Sequence, residues 1–322
     1  GLCATVLAGS ARGRPHFYAR GSMHNLAIVT RKLPSHNREL QLEIWPNPGA
    51  GVMLFYPGTM LSPFQYRPML HALRQAGFAV AALHLTGHGL NRHSTGFTFA
   101  DLLQNGLDAE NWLRQSGYSK IAVCGHSQGG ILSLAHAAAS SGIVASFPIT
   151  AVLPQMREAI YLTRFAALAD RRQKIEAVFA ALARWLPRLP LPLHAYLAPG
   201  RILAGARRTV TNRRKARFSY PLQFLASLFN THLPTTMRCP VCMFSARNDA
   251  LFTPAIIQAT FDSLEAPAKK LIWLSGGGHL AAMNPPLCRF TARTAAAFCA
   301  GLGLPLRLES SQISPGDTPH GL

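Results

Sequence analysis

Acidic side chains are scarce in this chain: 13 Asp and Glu stand against 32 Lys and Arg in 322 residues, a formal net charge of +19. A balance of that size favours anionic partners such as a phospholipid surface or an acidic polymer, or else a solvated basic surface, and it says nothing about fold. A nucleic-acid partner is not expected. Long apolar runs are missing too. None approaches the roughly 18 residues that a membrane-spanning helix needs, so a transmembrane chain is not expected. Cysteine is sparse, with six residues at positions 3, 124, 239, 242, 288 and 299 and no disulfide-framework spacing. These read as reduced core thiols, which fits a cytoplasmic protein, peripheral to a membrane at most. Cys239-Pro-Val-Cys242 has C-x-x-C spacing, but no second pair or His cluster follows at zinc-site distance. Neither a metal nor a cofactor is expected.

What the chain has in quantity is apolar residue, 48% of the total, enough for one large domain with an inserted subdomain. Residues 1–24 are set aside: Leu2 to Ala8 is shorter than a signal-peptide core, and the segment is expected to be poorly ordered. The tail 301–322, rich in Gly, Ser and Pro, is expected to be poorly ordered as well.

The most informative stretch is Lys120-Ile-Ala-Val-Cys-Gly-His-Ser-Gln-Gly-Gly-Ile-Leu132. β-Branched Ile121 and Val123 make a strand, Gly125-His-Ser-Gln-Gly129 a sharp turn, and Ile131 to Ala139 a helix. A G-x-S-x-G sequence between a strand and a helix is a nucleophile elbow, in which a strained turn exposes the serine hydroxyl at the top of a sheet. Glycines at 125 and 129 remove side chains that would collide there.

Over about Gly51 to Ala300 the chain resembles the α/β-hydrolase superfamily, and within it the lysophospholipase, monoacylglycerol lipase and serine aminopeptidase group. The resemblance implies a mostly parallel central sheet covered by helices on both faces, and makes Ser127 the nucleophile. Alternating segments agree with it. Leu26 to Thr30 and Glu39 to Trp45 read as a hairpin turning at Pro34-Ser-His-Asn37; Val52 to Tyr56 as a buried strand; Gln65 to Gln75 as a helix; and Phe78 to Leu85 as a strand. Phe99 to Gln115 is then a helix and Val144 to Thr150 a strand. After Tyr56 the family has His-Gly and then a backbone oxyanion donor. Here Pro57 replaces the His, Gly58 matches, and Thr59 falls on the donor position. A backbone N–H can come from any residue but proline, so the substitution leaves the chemistry intact. The residue after the nucleophile, Gln128, is the second donor. Gly87-His-Gly89 matches a family pattern that usually carries Asp three residues before the His-bearing turn, where this chain has His84. His84 and His88 read as loop-ordering residues, because the serine mechanism needs a single base.

Pro154 marks a change of character. Between Arg157 and Arg217 stand 14 Lys and Arg against three acids, +11 of the net charge. Ile175, Phe179, Leu182 and Leu186 share a helical face, with Val178 and Trp185 beside it and Arg171, Arg172, Lys174 and Arg184 interspersed. Prolines from Pro187 to Pro192 stop this helix. The resemblance makes 154–236 a basic helical cap inserted into a core of 25–153 and 237–300. Such a cap either packs its apolar face on the core or turns it toward an anionic lipid–water interface.

Val241 to Ser245 is the next buried strand, and Asp249 lies on the loop beyond it, where the family places its triad acid; Asp262, in the helix Ile256 to Leu264, and Glu265, at its end, are alternatives. Lys270 to Leu274 is the last strand, followed by Ser275-Gly-Gly-Gly278-His279 and a helix from Leu280 to Cys299. Ser127, Asp249 and His279 stand in the order of an α/β-hydrolase triad, each after a strand. The expected activity is hydrolysis of carboxylic esters with apolar acyl groups, small molecules held under the cap. Acyl transfer and aminopeptidase activity use the same triad; a catalytically silent basic module docking on membranes or nucleic acid is the reading outside enzymology.

Overall fold

The computed structural model describes residues 27–36, 38–197 and 216–308. The expectations for residues 1–24, for Cys3, for most of the basic stretch before Arg217 and for the end of the tail fall on residues outside these.

Eight strands form one sheet. In chain order they are β1 (Val29–Ser35), β2 (Arg38–Trp45), β3 (Val52–Tyr56), β4 (Ala79–Leu83), β5 (Ile121–His126), β6 (Ile143–Ile149) and, after a long excursion, two more, Val241–Ala246 and Lys269–Leu274. Among the described residues β1 pairs only with β2, which is antiparallel to it and to β4 on its other side, and every other pairing in this sheet is parallel. β3 and β4 are buried at every residue, as expected of strands covered on both faces. The covering helices are α1 (Arg67–Gln75), α2 (Phe99–Gln115), α3 (Gln128–Ala139) and later Pro254–Ser263 and Pro285–Ala300. α1 packs against the last of these, and α2 against α3, so both faces of the sheet are covered.

Local signals set these bounds. Thr98 accepts the Asp101 N–H while the Asp101 carboxylate accepts the Thr98 N–H, a capping box that starts α2, and Gly117 (φ +95°) follows its end. The first strand runs later than expected, through Pro34 and Ser35, because an edge strand tolerates a proline, and His36 follows it at φ +48°. The last helix also starts later. Gly278–Met283 is a 3₁₀ turn, and Asn284 caps the α-helix that begins at Pro285 by accepting the Leu287 N–H. The tail packs back as far as Arg307: Leu304 is buried against Gly51, the Gly51 N–H donates to the Pro305 carbonyl and the Arg307 N–H to that of Gly77. At His84, the ring donates to Glu43, which also takes two bonds from Arg67, so a buried carboxylate ties β2, β4 and α1 together.

Between β6 and the strand at Val241 the described residues form two 3₁₀ turns, α4 (Arg172–Trp185), β7 (Pro190–Pro192), α5 (Leu193–Tyr196), β8 (Ser219–Pro221) and α6 (Leu222–Phe229), with β7 and β8 paired antiparallel. Continuing the numbering, Val241–Ala246 is β9, Pro254–Ser263 α7, Lys269–Leu274 β10 and Pro285–Ala300 α8. α4 rests on α6 through Phe179, whose ring meets Phe165 and Phe229 edge-on with centroids 5.1 and 5.4 Å away. Each such pair adds about 0.5–1.5 kcal/mol to area burial. Arg172 reinforces the contact by donating to the carbonyls of Pro154, Met156 and Phe229. Among the described residues Val178, Leu182 and Trp185 on the far side of α4, and Leu186 just past its end, are exposed, Trp185 at 85%. Among the described residues no helix is long and apolar enough to cross a membrane.

Candidate active site

Parallel register brings the ends of β3, β5, β6, β9 and β10 to one edge of the sheet, where ligands of open α/β sheets bind. Ser127 follows β5 at φ +56°, ψ −119°, a conformation costly for a residue with a side chain and kept only where its surroundings enforce it. The glycines explain how. A Cβ at Gly125 would land on the Gly129 carbonyl, and one at Gly129 on the carbonyls of Tyr56 and Pro57. The turn therefore packs backbone against backbone, and its side chain projects outward.

Ser127 Oγ lies 3.0 Å from His279 Nε2, and His279 Nδ1 lies 2.9 Å from Asp249 Oδ2. Asp249 is buried, and its other oxygen accepts the N–H groups of Leu251 (2.8 Å) and Phe252 (2.9 Å). One oxygen is thus fixed by backbone and the other faces the imidazole. His279 reaches this position through Gly276, Gly277 and Gly278, all at positive φ, and the Gly278 N–H donates to Asn248 Oδ1 (3.0 Å), joining the β9 and β10 loops. The Phe252 ring meets the imidazole edge-on at 4.8 Å. Asp262 and Glu265 lie elsewhere, accepting from Gln258 and Thr236.

Thr59 and Gln128 meet beside this chain, the Thr59 hydroxyl donating to the Gln128 side-chain carbonyl (2.9 Å). Gln128 is the first residue of α3, where backbone N–H groups lack intrahelical partners. Among the described residues the Thr59 N–H donates to no acceptor.

Two residues that sequence reasoning missed brace this corner. The Gly58 N–H donates to Tyr66 Oη (3.0 Å), which lies 2.7 Å from His126 Nδ1, while His126 Nε2 lies 2.6 Å from the His279 carbonyl oxygen. Burial, with the nearby His279, lowers the His126 pKa to about 3, so the ring is neutral. A carbonyl only accepts. His126 Nε2 therefore carries the hydrogen, Nδ1 accepts the Tyr66 O–H, and each polar group is used once. A Cβ at Gly58 would press on Tyr66 Oη, which accounts for that glycine.

A cavity of about 380 Å³ opens onto Ser127 and His279, walled mainly by apolar side chains such as Ile131, Val152, Leu162, Leu193, Leu197 and Phe229. Four of those six, Leu162, Leu193, Leu197 and Phe229, come from the 154–236 segment. Among the described residues no group of His, Cys, Asp and Glu could hold a metal ion, and Cys239 and Cys242 are buried free thiols, each pushed up to about 12 by burial.

No curated protein matches the chain. Among solved structures, a monoacylglycerol lipase from Paleococcus ferrophilus superposes with a TM-score of 0.64 at 17% identity, covering 82% of this chain and 100% of its own. A soluble variant of the Saccharomyces cerevisiae monoglyceride lipase gives 0.65 at 11% identity over 88% of this chain and 99% of that one. A Thermogutta terrifontis esterase gives 0.58 at 16% identity over 86% and 99%. At these identities the likeness establishes the fold. A family model described as "Alpha/beta hydrolase family" matches residues 49–288, well over half of the sequence. The chain belongs to the alpha/beta hydrolase family.

Proposed function

We propose that the chain is a serine hydrolase of carboxylic esters with apolar acyl groups, working through an acyl-enzyme on Ser127. The observation that carries this is the hydrogen-bonded line Ser127–His279–Asp249 at the mouth of an apolar cavity. His279 Nε2 takes the Ser127 proton as Oγ attacks the ester carbonyl carbon. Negative charge collects on the former carbonyl oxygen, within reach of the Thr59 and Gln128 N–H groups. Collapse expels the alcohol, which leaves with the proton held by His279. Water then attacks the acyl-enzyme, gives its proton to the same nitrogen, and the second collapse releases the acid and restores Ser127. Asp249 holds the imidazole in the tautomer that accepts at Nε2 and stabilises the imidazolium.

The cavity lies in the size range of small-molecule sites, about 300–1,000 Å³, and its walls suit an acyl chain. The test is a panel of soluble esters graded in acyl length, with products measured with and without an added alcohol. Hydrolysis that rises with acyl length before the cavity fills is expected, with free acid as product. Ester product made only with the alcohol would reassign the chain as an acyltransferase, and amide cleavage without ester cleavage as a peptidase.

The uncovered side of α4 supports a second element, in which the segment acts as a cap docking on anionic lipid. Val178, Leu182, Trp185, Leu186 and Leu189 are exposed, with Lys174, Arg184 and Arg188 among them. Exposed aromatic and aliphatic groups flanked by cations are the composition of interfacial helices.

A further inference from the structure

Met60, next to Thr59, is a non-glycine residue at φ +69°, and both its backbone polar groups are taken by the end of the inserted segment. Its carbonyl accepts the Arg217 N–H (2.9 Å), and its N–H donates to Tyr220 Oη (2.7 Å). Tyr220 Oη lies 2.8 Å from His88 Nε2, and His88 Nδ1 lies 3.0 Å from the Thr86 carbonyl oxygen. Tyr220 is fully buried, stacked on Phe224 at 4.9 Å, with the Arg217 guanidinium over its ring at 5.4 Å. Arg217 also donates to the Gly87 carbonyl (2.8 Å), so it and Tyr220 grip the loops after β3 and β4 together.

Donor and acceptor roles follow as they do for Tyr66. Burial lowers the His88 pKa to about 4, so the ring is neutral and its Nδ1–H must point at the Thr86 carbonyl. Nε2 is then an acceptor, the Tyr220 O–H donates to it, and Tyr220 Oη is left to accept the Met60 N–H. The two amides that flank Thr59 are therefore bound in the same way, Gly58 through Tyr66 and His126, Met60 through Tyr220 and His88. The amide between them is the one whose N–H donates to no acceptor among the described residues.

We propose that Tyr220, backed by His88, is a positioning residue that sets the Thr59 amide for catalysis, so that the inserted segment builds part of the oxyanion site as well as walling the cavity. This rests on the assignment of Thr59 as an oxyanion donor to an ester intermediate formed at Ser127. Without the Tyr220 hydroxyl the Met60 N–H is buried and unpaired, and the left-handed turn at Met60 loses one of its two anchors. The Thr59 N–H then points less accurately at the place where negative charge develops.

Tyr220→Phe keeps the ring and its stacking and removes only the hydroxyl. On a small soluble ester we expect kcat to fall about 10-fold, less than the 10²–10³ for outright loss of an oxyanion donor, with KM within about twofold. Inhibition by a trifluoromethyl ketone, whose tetrahedral adduct carries the oxyanion, should weaken by the same factor as kcat/KM, a correlation that a merely loosened fold does not produce. His88→Leu, which leaves Tyr220 without its acceptor, should shift both quantities in the same direction, and His88→Gln, which keeps an acceptor, should recover most of the loss. Folded Tyr220→Phe and His88→Leu proteins with wild-type kcat and wild-type ketone affinity would overturn the proposal while leaving the serine mechanism standing. Wild-type protein with no turnover that depends on Ser127 would remove the mechanism, and the proposal with it.

Discussion

Replacing Asp249 by Asn separates the chemical role of the carboxylate from its structural one. The two side chains are nearly isosteric, and the surroundings dictate how the amide must sit. Leu251 and Phe252 both aim N–H groups at Oδ1, so the amide oxygen is held there and the NH₂ is forced into the place of Oδ2, facing His279 Nδ1. The flipped rotamer would set an NH₂ against two N–H donors. An NH₂ at that place donates to Nδ1, which drives the ring hydrogen to Nε2, where it points at Ser127 instead of taking its proton. The loss expected for a wrong tautomer is about 10⁴-fold in kcat, about 5.4 kcal/mol of transition-state stabilisation. KM should move little, and thermal unfolding should stay close to wild type because the two backbone bonds survive. Steady-state kinetics on a soluble ester, with calorimetry of the same sample, reads all three. A folded Asp249→Asn protein keeping a tenth of wild-type kcat, or an Asp262→Asn protein losing as much, would refute the assignment.

Three other perturbations test neighbouring parts of the account. Gly129→Ala places a methyl group on the carbonyls of Tyr56 and Pro57; it should destabilise the fold by about 1–3 kcal/mol, seen as a lower denaturant midpoint, and lower activity as the turn shifts. Burial tends to raise the pKa of Glu110, but hydrogen bonds from His136, Ser140 and Arg114 outweigh it and hold the carboxyl down to about 2. Its contribution to stability is therefore present above the unfolded value near 4.5 and lost as pH falls toward 2, so Glu110→Gln should flatten the acid limb of a denaturation-versus-pH curve in that window. Vesicle co-sedimentation tests the α4 surface: anionic vesicles should bind the protein more than zwitterionic ones at 0.1 M salt, and Lys174, Arg184 and Arg188 changed to Gln should weaken binding, each cation being worth about 1 kcal/mol at such a surface. Screening from about 10 Å to about 3 Å should abolish the preference at 1 M salt.

Local sequence carries what local physics decides. The bounds of α2 are set by the Thr98 capping box and Gly117, and the match between reading and structure there is close. The apolar runs of β3 and β5 are legible for the same reason, since strands buried on both faces need no partner to be recognised. The first strand was displaced because Pro34 and Ser35 look like a turn in isolation, and only pairing with β2 shows that they sit at an edge. The break at Asn284 was in the sequence, as a capping residue ahead of two prolines, but the apolar spacing from Leu280 onward hid it. Tyr66, His126, His88 and Tyr220 were not legible as a set. Tyr66 and His126 are 60 residues apart, and Tyr220 is 160 from Met60, so no window of sequence contains either relay. The exposed side of α4 was invisible for a similar reason: spacing gave the helix an apolar face, but only packing shows that Phe179 is covered while Trp185 is left out.

Ser127 is proposed to be a nucleophile made reactive by His279, and that role has a direct chemical test. The folded protein is treated with a fluorophosphonate and the adduct located by peptide mass spectrometry. One stoichiometric adduct is expected on the peptide containing Ser127, none in Ser127→Ala, and slow labelling in His279→Ala, where no base removes the serine proton. An unlabelled wild-type protein, an adduct on another residue, or equal labelling of the Ser127→Ala protein would contradict it.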